Sequence, residues 1–164
     1  MTTKKRFLVA YDKYAENLLR HVYFRVSRED LAEDITQETF LRLWRCVLAG
    51  DDIKNFKAFL YRIAHNLIID YYRRHKTASL EETVETEGEF IVEEKNAFEI
   101  ICDKEMAACA LRELDTETRQ IIMWRFIDEL SVTEIAEITK KTANNISVII
   151  HRGLKKMREK MKNV

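Results

Sequence analysis

The sequence predicts an all-α protein of two small helical domains joined by an acidic linker, and three observations lead to this fold class. The 164 residues include no proline and only three glycines, so little interrupts long helices. Apolar residues recur at spacings of three and four, the period of amphipathic helices. Basic residues outnumber acidic ones by 15 to 10 in residues 1–76 and by 11 to 8 in residues 106–164, whereas residues 77–105 hold 2 basic and 10 acidic residues. We therefore predict domains over 1–76 and 106–164 with the linker between them.

What the sequence lacks argues against several classes of protein. It has no Gly-rich phosphate loop, no Gly-x-Ser-x-Gly and no His-Glu-x-x-His, so we expect neither an enzyme nor a bound cofactor. No apolar run approaches the roughly 18 residues of a membrane span, and three cysteines without a Cys-x-x-Cys pair fit a reducing compartment. We expect a soluble, cytoplasmic protein that does not itself insert into a membrane. Its histidines lack the spacing of metal ligands, so no metal site is predicted at His21, His65, His75 or His151.

The segregated charge suggests a polyanion such as nucleic acid as partner for the two basic parts. The same runs of charge also fit ordinary solvated helix faces.

The first two helices follow from apolar spacing alone, because each stripe forms one face of an amphipathic helix. The stripes are Phe7, Tyr11, Tyr14, Leu18 and Val22 in the first helix, and Ile35, Phe40, Leu43 and Val47 in the second.

The second helix carries a further stripe that mixes polar and large apolar side chains. Its members are Gln37, Glu38, Leu41 and Trp44, at spacings of one, three and three. Leu41 and Trp44 fit a domain core, as large apolar residues commonly do. A Trp beside polar groups is also the usual composition of an anchor in a protein interface. The residues alone leave both interpretations open.

The third predicted helix, residues 56–76, combines an apolar face with polar and aromatic groups. Aromatic rings stack on exposed bases while Arg and Lys bind phosphates, which is how single-stranded nucleic acid is held. Alternatively, the tyrosines cover the domain edge and Asp70 forms ion pairs along the helix. The predicted core stripe is Phe56, Phe59 or Leu60, Ile63, Leu67 and Tyr71; the outward side holds Arg62, Asn66, Asp70 and Arg73, with Tyr61, His65, Ile68 and Tyr72 beside them.

Beyond the linker, two capped helices separated by a short turn predict a helix-turn-helix. Ser131 and Glu134 have the spacing of a capping box, and Thr142 can cap the next helix. Ala136 is small enough to let the second helix pack closely. An ordinary corner of two helices remains an alternative, because the turn lacks its frequent glycine. The second helix has Ile146, Ile150, Gly153, Leu154 and Met157 at core spacing.

Three motifs in this order resemble a bacterial RNA polymerase sigma factor of the extracytoplasmic-function (ECF) type, in the sigma-70 family. AEDITQETFLRLW (residues 32–44) resembles the segment that binds core polymerase. F-x-x-F-L-x-x-I-A-x-N-x-x-x-D-x-x-R (residues 56–73) resembles the promoter-melting helix. L-x-x-L-D (residues 111–115), LSVTEIAEI and HRGLKKM resemble the C-terminal helix-turn-helix domain. The resemblance spans nearly the whole chain.

The resemblance implies three partners: core RNA polymerase, promoter DNA and an anti-sigma factor. Polymerase would be bound through the clamp helices of its largest subunit and through its flap. The linker would run through the active-site cleft and the RNA exit path, where its acidic residues imitate the charge of RNA. The implied contacts with the clamp helices are Asp34, Gln37, Glu38, Leu41 and Trp44.

The resemblance also implies two DNA-binding surfaces, with a flipped base of the −10 element received by the loop of residues 49–55. Flipping costs a few kcal/mol, so a pocket and a stacking platform must recover it. The implied −10 residues are Asp52, Lys54, Asn55, Tyr61, Arg62, His65, Asn66, Arg73, Arg74 and Lys76. The implied −35 residues are Thr142, Asn144, Asn145, Ser147 and Val148 near bases in the major groove, and Arg152, Lys155 and Lys156 near phosphates, with His151 also among the DNA-binding residues.

The chain departs from the family pattern in the helix-turn-helix. Thr139-Lys140-Lys141 stands where members commonly have Leu-Gly-Ile, and Ser147-Val148-Ile149 where they have Lys-Ser-Arg. A non-Gly residue in a left-handed turn costs on the order of 1 kcal/mol. Each lost phosphate contact lowers affinity and reduces the salt slope by roughly one unit. We therefore predict weak −35 binding, with Val148 reading a thymine methyl.

Two other classes of protein remain as alternatives. A stand-alone helix-turn-helix regulator would explain residues 130–158 but would leave the stripe of residues 34–44 and the third helix without a role. A helical adaptor would need no promoter. Binding to core polymerase with selection of a start site distinguishes the sigma factor from both.

Overall fold

The computed structural model describes residues 2–78 and 105–162, and in these residues every regular element is an α-helix. The predicted all-α class is confirmed. Most of the predicted linker, residues 79–104, lies outside the described residues, so its boundaries stay a prediction. The helices are α1 (Thr3–Val26), α2 (Glu29–Ala49), α3 (Phe56–Ala78), α4 (Glu105–Arg112), α5 (Thr116–Phe126), α6 (Val132–Thr139) and α7 (Ala143–Lys162).

The described residues fall into two compact units, α1 to α3 and α4 to α7. In the first unit all three helices contact one another. Leu18, Leu43 and Leu60, one from each helix, are fully buried in its core. The turn between α1 and α2 passes through Ser27, whose left-handed backbone closes α1 with a hydrogen bond from its N–H to the Tyr23 carbonyl. The turn therefore sets α2 back against α1.

The second unit has capped helices arranged as the helix-turn-helix prediction requires. The Ser131 hydroxyl accepts from the Glu134 N–H, and the Glu134 carboxylate accepts from the Ser131 N–H, so the predicted capping box is confirmed. The Thr142 hydroxyl accepts from the Asn145 N–H at the start of α7. Lys140 takes the left-handed conformation at the turn (φ 57°), at the position where the resemblance described above implies a glycine.

Helix α7 approaches α5 closely at Gly153. A methyl group added at Gly153 would lie 2.6 Å from Ile122 Cδ1 and 2.7 Å from Thr118 Cγ2. This contact joins α7 to α5 and is separate from the close packing of α7 on α6 that Ala136 was predicted to allow. The unit's core includes the fully buried Ile121, Leu130, Ile135 and Ile146.

Among the described helices, none combines the length and the apolar character needed to cross a bilayer. The same ranges contain no group of three or more His, Cys, Asp or Glu side chains arranged to hold a metal ion.

Candidate binding surfaces

An open groove of about 410 Å³ lies between the N-terminal half of α1 and the C-terminal half of α2. We call it the α1–α2 groove. Aromatic rings form its floor: the Phe7 and Trp44 ring centroids are 5.0 Å apart, and those of Tyr11 and Phe40 are 4.8 Å apart. The groove is lined by Lys4, Phe7, Leu8, Tyr11, Gln37, Phe40, Leu41 and Trp44.

Three of the four residues of the mixed stripe that the sequence predicted on α2 line this groove, namely Gln37, Leu41 and Trp44, whereas Glu38 is outside its lining. Leu41 is 43% exposed, Asp34 and Gln37 are exposed, and Trp44 is half-buried. Glu38 is also half-buried and accepts a 2.8 Å hydrogen bond from Arg42 Nε. Leu41 therefore does not belong to the core, and the stripe forms an exposed edge with a large apolar centre. Exposed apolar patches of this kind mark interaction sites.

The sequence did not identify two residues of α1, Leu8 and Tyr11, as part of an exposed surface. Leu8 is 45% exposed and lies off the predicted apolar stripe. Tyr11 was predicted on the core face, yet it is 46% exposed. The stripe of α1 is continuous, but only its C-terminal half is fully covered, with Leu18 and Val22 at 0% exposure. Periodicity identifies the apolar face without showing how far along the helix a neighbour covers it.

The buried face of α3 is rotated relative to the prediction. Tyr61 and Ile68 were placed on the outward side, yet each is 1% exposed. Leu60 and Ala64 share that core, whereas Ile63 and Leu67 are only half-buried. The predicted outward placement of Tyr61 is therefore wrong, and its ring packs edge-on against His21 of α1, 4.7 Å between centroids. In this position Tyr61 presents no free face to a base.

His65 and Tyr72 also turn towards α1 and not outward. The Tyr72 hydroxyl donates to the Arg25 carbonyl at 2.9 Å. Arg25 itself is buried, and its guanidinium donates to the His21 carbonyl at 2.9 Å. The pKa of His65 is lowered to about 4, mainly because burial disfavours the imidazolium and further because Arg25 and His21 lie near it. These polar groups hold α3 against α1.

Acidification is expected to destabilise the first unit through His65. The unfolded state takes up the proton near pH 6.5 and the folded state only near pH 4. His65 therefore costs no stability above pH 6.5, and its cost grows as pH falls from 6.5 to 4. His65 therefore lowers the free energy of unfolding by about 2 kcal/mol at pH 5 relative to pH 8.

The measurement is urea unfolding followed by circular dichroism at both pH values. His65→Gln should lose less stability between pH 8 and pH 5 than the wild type, by about the same 2 kcal/mol. His151→Gln, at an exposed position in the second unit, serves as the control and should leave the pH dependence of the first unit's unfolding unchanged. An unchanged pH dependence in His65→Gln would show that other groups cause it.

The remaining −10 candidates lie on exposed parts of α3 and of the loop before it. Asn66, Arg73, Arg74 and Lys76 are exposed, and Arg62 is half-buried, its guanidinium 5.4 Å from the centroid of the Phe59 ring. These side chains form a polar edge of α3 that ends in the three cations Arg73, Arg74 and Lys76.

The loop from Gly50 to Asn55 is fixed at both ends. Gly50 has φ 85°, a left-handed conformation that favours glycine, and Ile53 is buried. Asn55 accepts from the Ala58 N–H at 3.0 Å and so caps α3, which engages its side-chain oxygen. Asp52 and Lys54 are exposed. Asp51 is exposed as well, so Asp52 and Lys54 are two of three side chains that the loop presents to solvent.

All eight −35 candidates lie on the exposed side of α7 or at its start. Two of them use their hydroxyls within the helix: Thr142 caps it, and Ser147 donates to the Ala143 carbonyl at 3.0 Å. Val148 is 37% exposed. The outer side of α7 is therefore polar and basic with one apolar position, and the exposed residues are Thr142, Asn144, Asn145, Ser147, Val148, His151, Arg152 and Lys155.

Comparison with known protein families gives two matches in chain order. The family Sigma-70 region 2 matches residues 10–78, which comprise most of α1 and all of α2 and α3. The family Sigma-70, region 4 matches residues 104–157, which include α4 to α6 and most of α7.

Curated relatives and solved structures agree with these matches. The chain is 30% identical to ECF RNA polymerase sigma factor BldN of Streptomyces coelicolor over 88% of this chain, and spans 56% of that protein's length. It is 29% identical to ECF RNA polymerase sigma factor SigW of Bacillus subtilis, over 93% of this chain and 87% of that one.

Two solved structures share the fold. The structure of CnrH in complex with the cytosolic domain of CnrY matches with a TM-score of 0.67 and 22% identity, over 98% of this chain and 90% of that one. The sigma factor RpoE of Bartonella quintana, in complex with the anti-sigma factor NepR, matches with a TM-score of 0.61 and 20% identity, over 97% and 96%.

Proposed function

This chain belongs to the sigma-70 family as an alternative sigma factor of the ECF type, and we propose that it binds core RNA polymerase and directs promoter recognition, promoter melting and transcription initiation. The α1–α2 groove is the observation that carries this proposal. It is apolar and open to solvent, with the polar Gln37 in its lining. Asp34 and Glu38 lie three residues before Gln37 and Leu41, on the same face of α2. An apolar centre with a polar rim is the composition of a protein interface.

The groove is proposed as the polymerase contact, through the clamp helices of the largest subunit. Leu41 and Trp44 would provide the apolar anchors, and Asp34, Gln37 and Glu38 the polar contacts around them. Leu8 and Tyr11 of α1 extend the same surface beyond the predicted stripe. A stand-alone DNA-binding regulator would leave this surface without a partner, and no observation favours that alternative.

Each unit is proposed to bind one promoter element. The first would hold the opened −10 element along the exposed edge of α3, with Asn66 among the bases and Arg73, Arg74 and Lys76 at phosphates. The second would place the start of α7 in the −35 major groove, with the flap of polymerase as its protein partner. Because Thr142 and Ser147 use their hydroxyls within α7, the −35 contact would rest mainly on Asn144, Asn145, Val148 and the basic residues that follow, so weak −35 binding remains our expectation.

Regulation is proposed to involve an anti-sigma factor that covers the α1–α2 groove when polymerase is absent. Such a partner would shield exposed Leu8 and Leu41 from water. We further propose that the chain is a binding protein and not an enzyme, and that it acts in the cytoplasm. The relatives named as RNA polymerase sigma factors support both points.

The proposal is tested by reconstitution. Purified protein is mixed with bacterial core polymerase and a promoter library, and the transcripts are sequenced. Binding to core together with selection of start sites supports the sigma function. Binding to duplex DNA that is indifferent to polymerase would instead indicate a regulator, and neither result would indicate an adaptor.

Replacing Asn66 and Arg73 together by Ala is expected to impair promoter opening while sparing polymerase binding. Both side chains are exposed on α3, and neither lines the groove on α1 and α2. Loss of one base contact and one phosphate contact should lower opening by about tenfold. Permanganate reactivity of unpaired thymines measures opening, and fluorescence anisotropy measures binding to core.

The matched control replaces Asn17 and Arg20, an exposed Asn and Arg on α1 that hydrogen-bond to each other at 3.2 Å. Asn17→Ala/Arg20→Ala should open the promoter as the wild type does. If the α3 variant also opens it fully, this edge of α3 does not contact the −10 element.

A further inference from the structure

Several aromatic rings of α3 are already engaged within the protein, which limits where an unpaired base can stack. Tyr61 is buried, and Tyr72 donates its hydroxyl to the Arg25 carbonyl. The Arg6 guanidinium lies 5.5 Å from the centroid of the Phe56 ring, and Phe59 is similarly faced by Arg62. Tyr61 and Tyr72, the tyrosines that the sequence suggested for stacking, therefore already make contacts within the protein.

A second group of rings, Tyr71 and His75, lies at the end of α3 and reaches solvent through His75. The rings of Tyr71 and His75 lie 4.0 Å apart between centroids with an angle of 36° between their planes. Tyr71 is half-buried, whereas His75 is exposed. His75 Nδ1 lies 3.0 Å from the Tyr71 carbonyl oxygen, and an N–H at Nδ1 would donate to it. One side of the imidazole is thus supported by Tyr71, and the residue remains open to solvent.

Arg28, in the turn between α1 and α2, also contacts Tyr71 of this pair. Arg28 Nη1 donates to the Tyr71 hydroxyl at 3.3 Å, and the same guanidinium bonds to the Asp30 carboxylate. The Tyr72 ring meets Tyr71 edge-on with 5.4 Å between centroids. Tyr71 is therefore held on two sides, which limits its rotation and that of the His75 ring stacked on it.

We propose that His75 is a stacking platform for one unpaired base of promoter DNA, and that Tyr71 and Arg28 are positioning residues that hold its ring. The location favours this ligand, since the exposed cations Arg73, Arg74 and Lys76 are neighbours of His75 along the helix. A base stacked on an aromatic ring with cations at the flanking phosphates is the general arrangement for single-stranded DNA. This inference rests on the proposed sigma function and adds to it a contact that neither the sequence analysis nor the comparisons assigned.

The test uses the full chain bound to core polymerase and fluorescent single-stranded oligonucleotides of the non-template −10 region. One oligonucleotide is intact, and each of the others has an abasic site at a single position. His75→Ala should weaken binding of the intact strand by about tenfold, whereas His75→Phe, which keeps a ring, should stay within about threefold of the wild type. Tyr71→Phe, which removes only the hydrogen bond with Arg28, should cost about threefold.

The abasic series identifies stacking specifically. In the wild type, one abasic position should weaken binding by about tenfold, and in His75→Ala that same position should have no further effect. A penalty of equal size in both proteins, or a loss in His75→Phe as large as in His75→Ala, would overturn the inference. Failure of the wild type to bind core or to select start sites would instead overturn the proposed function, so the two failures are distinguishable.

Discussion

Replacing Leu41 by Asp is expected to weaken binding to core polymerase by at least about 100-fold. Leu41 contributes an exposed apolar side chain to the α1–α2 groove, beside Leu8 and Tyr11. A carboxylate there would lose apolar contact and would be taken out of water on binding, which together cost about 3 kcal/mol or more. Two acidic residues, Asp34 and Glu38, already lie on the same face, so a third adds to the local negative charge.

Leu48→Asp is the matched control, because Leu48 lies on the same helix, is 59% exposed and does not line the groove. It should bind core within about threefold of the wild type, as expected for a substitution outside an interface. Fluorescence anisotropy with labelled protein and purified core gives both affinities, and circular dichroism shows whether each variant is folded. Equal behaviour of the two variants would rule out the groove as the polymerase contact.

Replacing Gly153 by Val is expected to destabilise the second unit by about 3 kcal/mol. Even a methyl group at this position would approach Ile122 Cδ1 and Thr118 Cγ2 to less than 3 Å. The two further methyl groups of Val would have to displace α7 from α5. Gly153→Ala should cost less, because the gain of about 1 kcal/mol in helix propensity offsets part of the strain.

Unfolding of the second unit can be followed through Trp124, which is buried in α5. The chain has two tryptophans, so a Trp44→Phe background isolates its fluorescence. Glu159→Val, at an exposed position on the same helix, is the control and should cost less than about 1 kcal/mol. Shortening Ile122 to Val in the Gly153→Ala background should recover stability if the clash is the cause. Equal losses for Gly153→Val and Glu159→Val would contradict the close approach.

Helix α3 was predicted correctly, but the face of it that is buried was assigned wrongly. The prediction gave Ile63 and Leu67 to the core and Tyr61 and Ile68 to the outside, although all four are largely apolar. Because α3 contacts both α1 and α2, it is covered over a wide arc. Periodicity measures where apolar residues repeat, and two adjacent apolar stripes repeat equally well. Only the positions of the neighbouring helices decide between them.

The exposure of the polar residues on α2 and on the outer side of α7 was predicted correctly. Charged and amide side chains at Asp34, Gln37, Asn144 and Arg152 are costly to bury without partners, so a helical period suffices to place them outside. Trp44 could not be assigned this way, since a large amphipathic ring fits a core or an interface. The structure places it half-buried against Phe7.

Composition and period alone determined that this protein is helical, that α6 begins with a capping box and that α7 presents a basic outer side. These features depend on residues close together in the chain, whose effects are local. The tertiary structure decided which residues meet across the chain: Leu8 and Tyr11 beside Leu41, His65 near Arg25, and Arg28 at the Tyr71 hydroxyl. Arg28 and Tyr71 are 43 positions apart, and no local rule relates them. Such contacts arise from how helices cross and how far each covers the next, and these follow from packing of the whole unit.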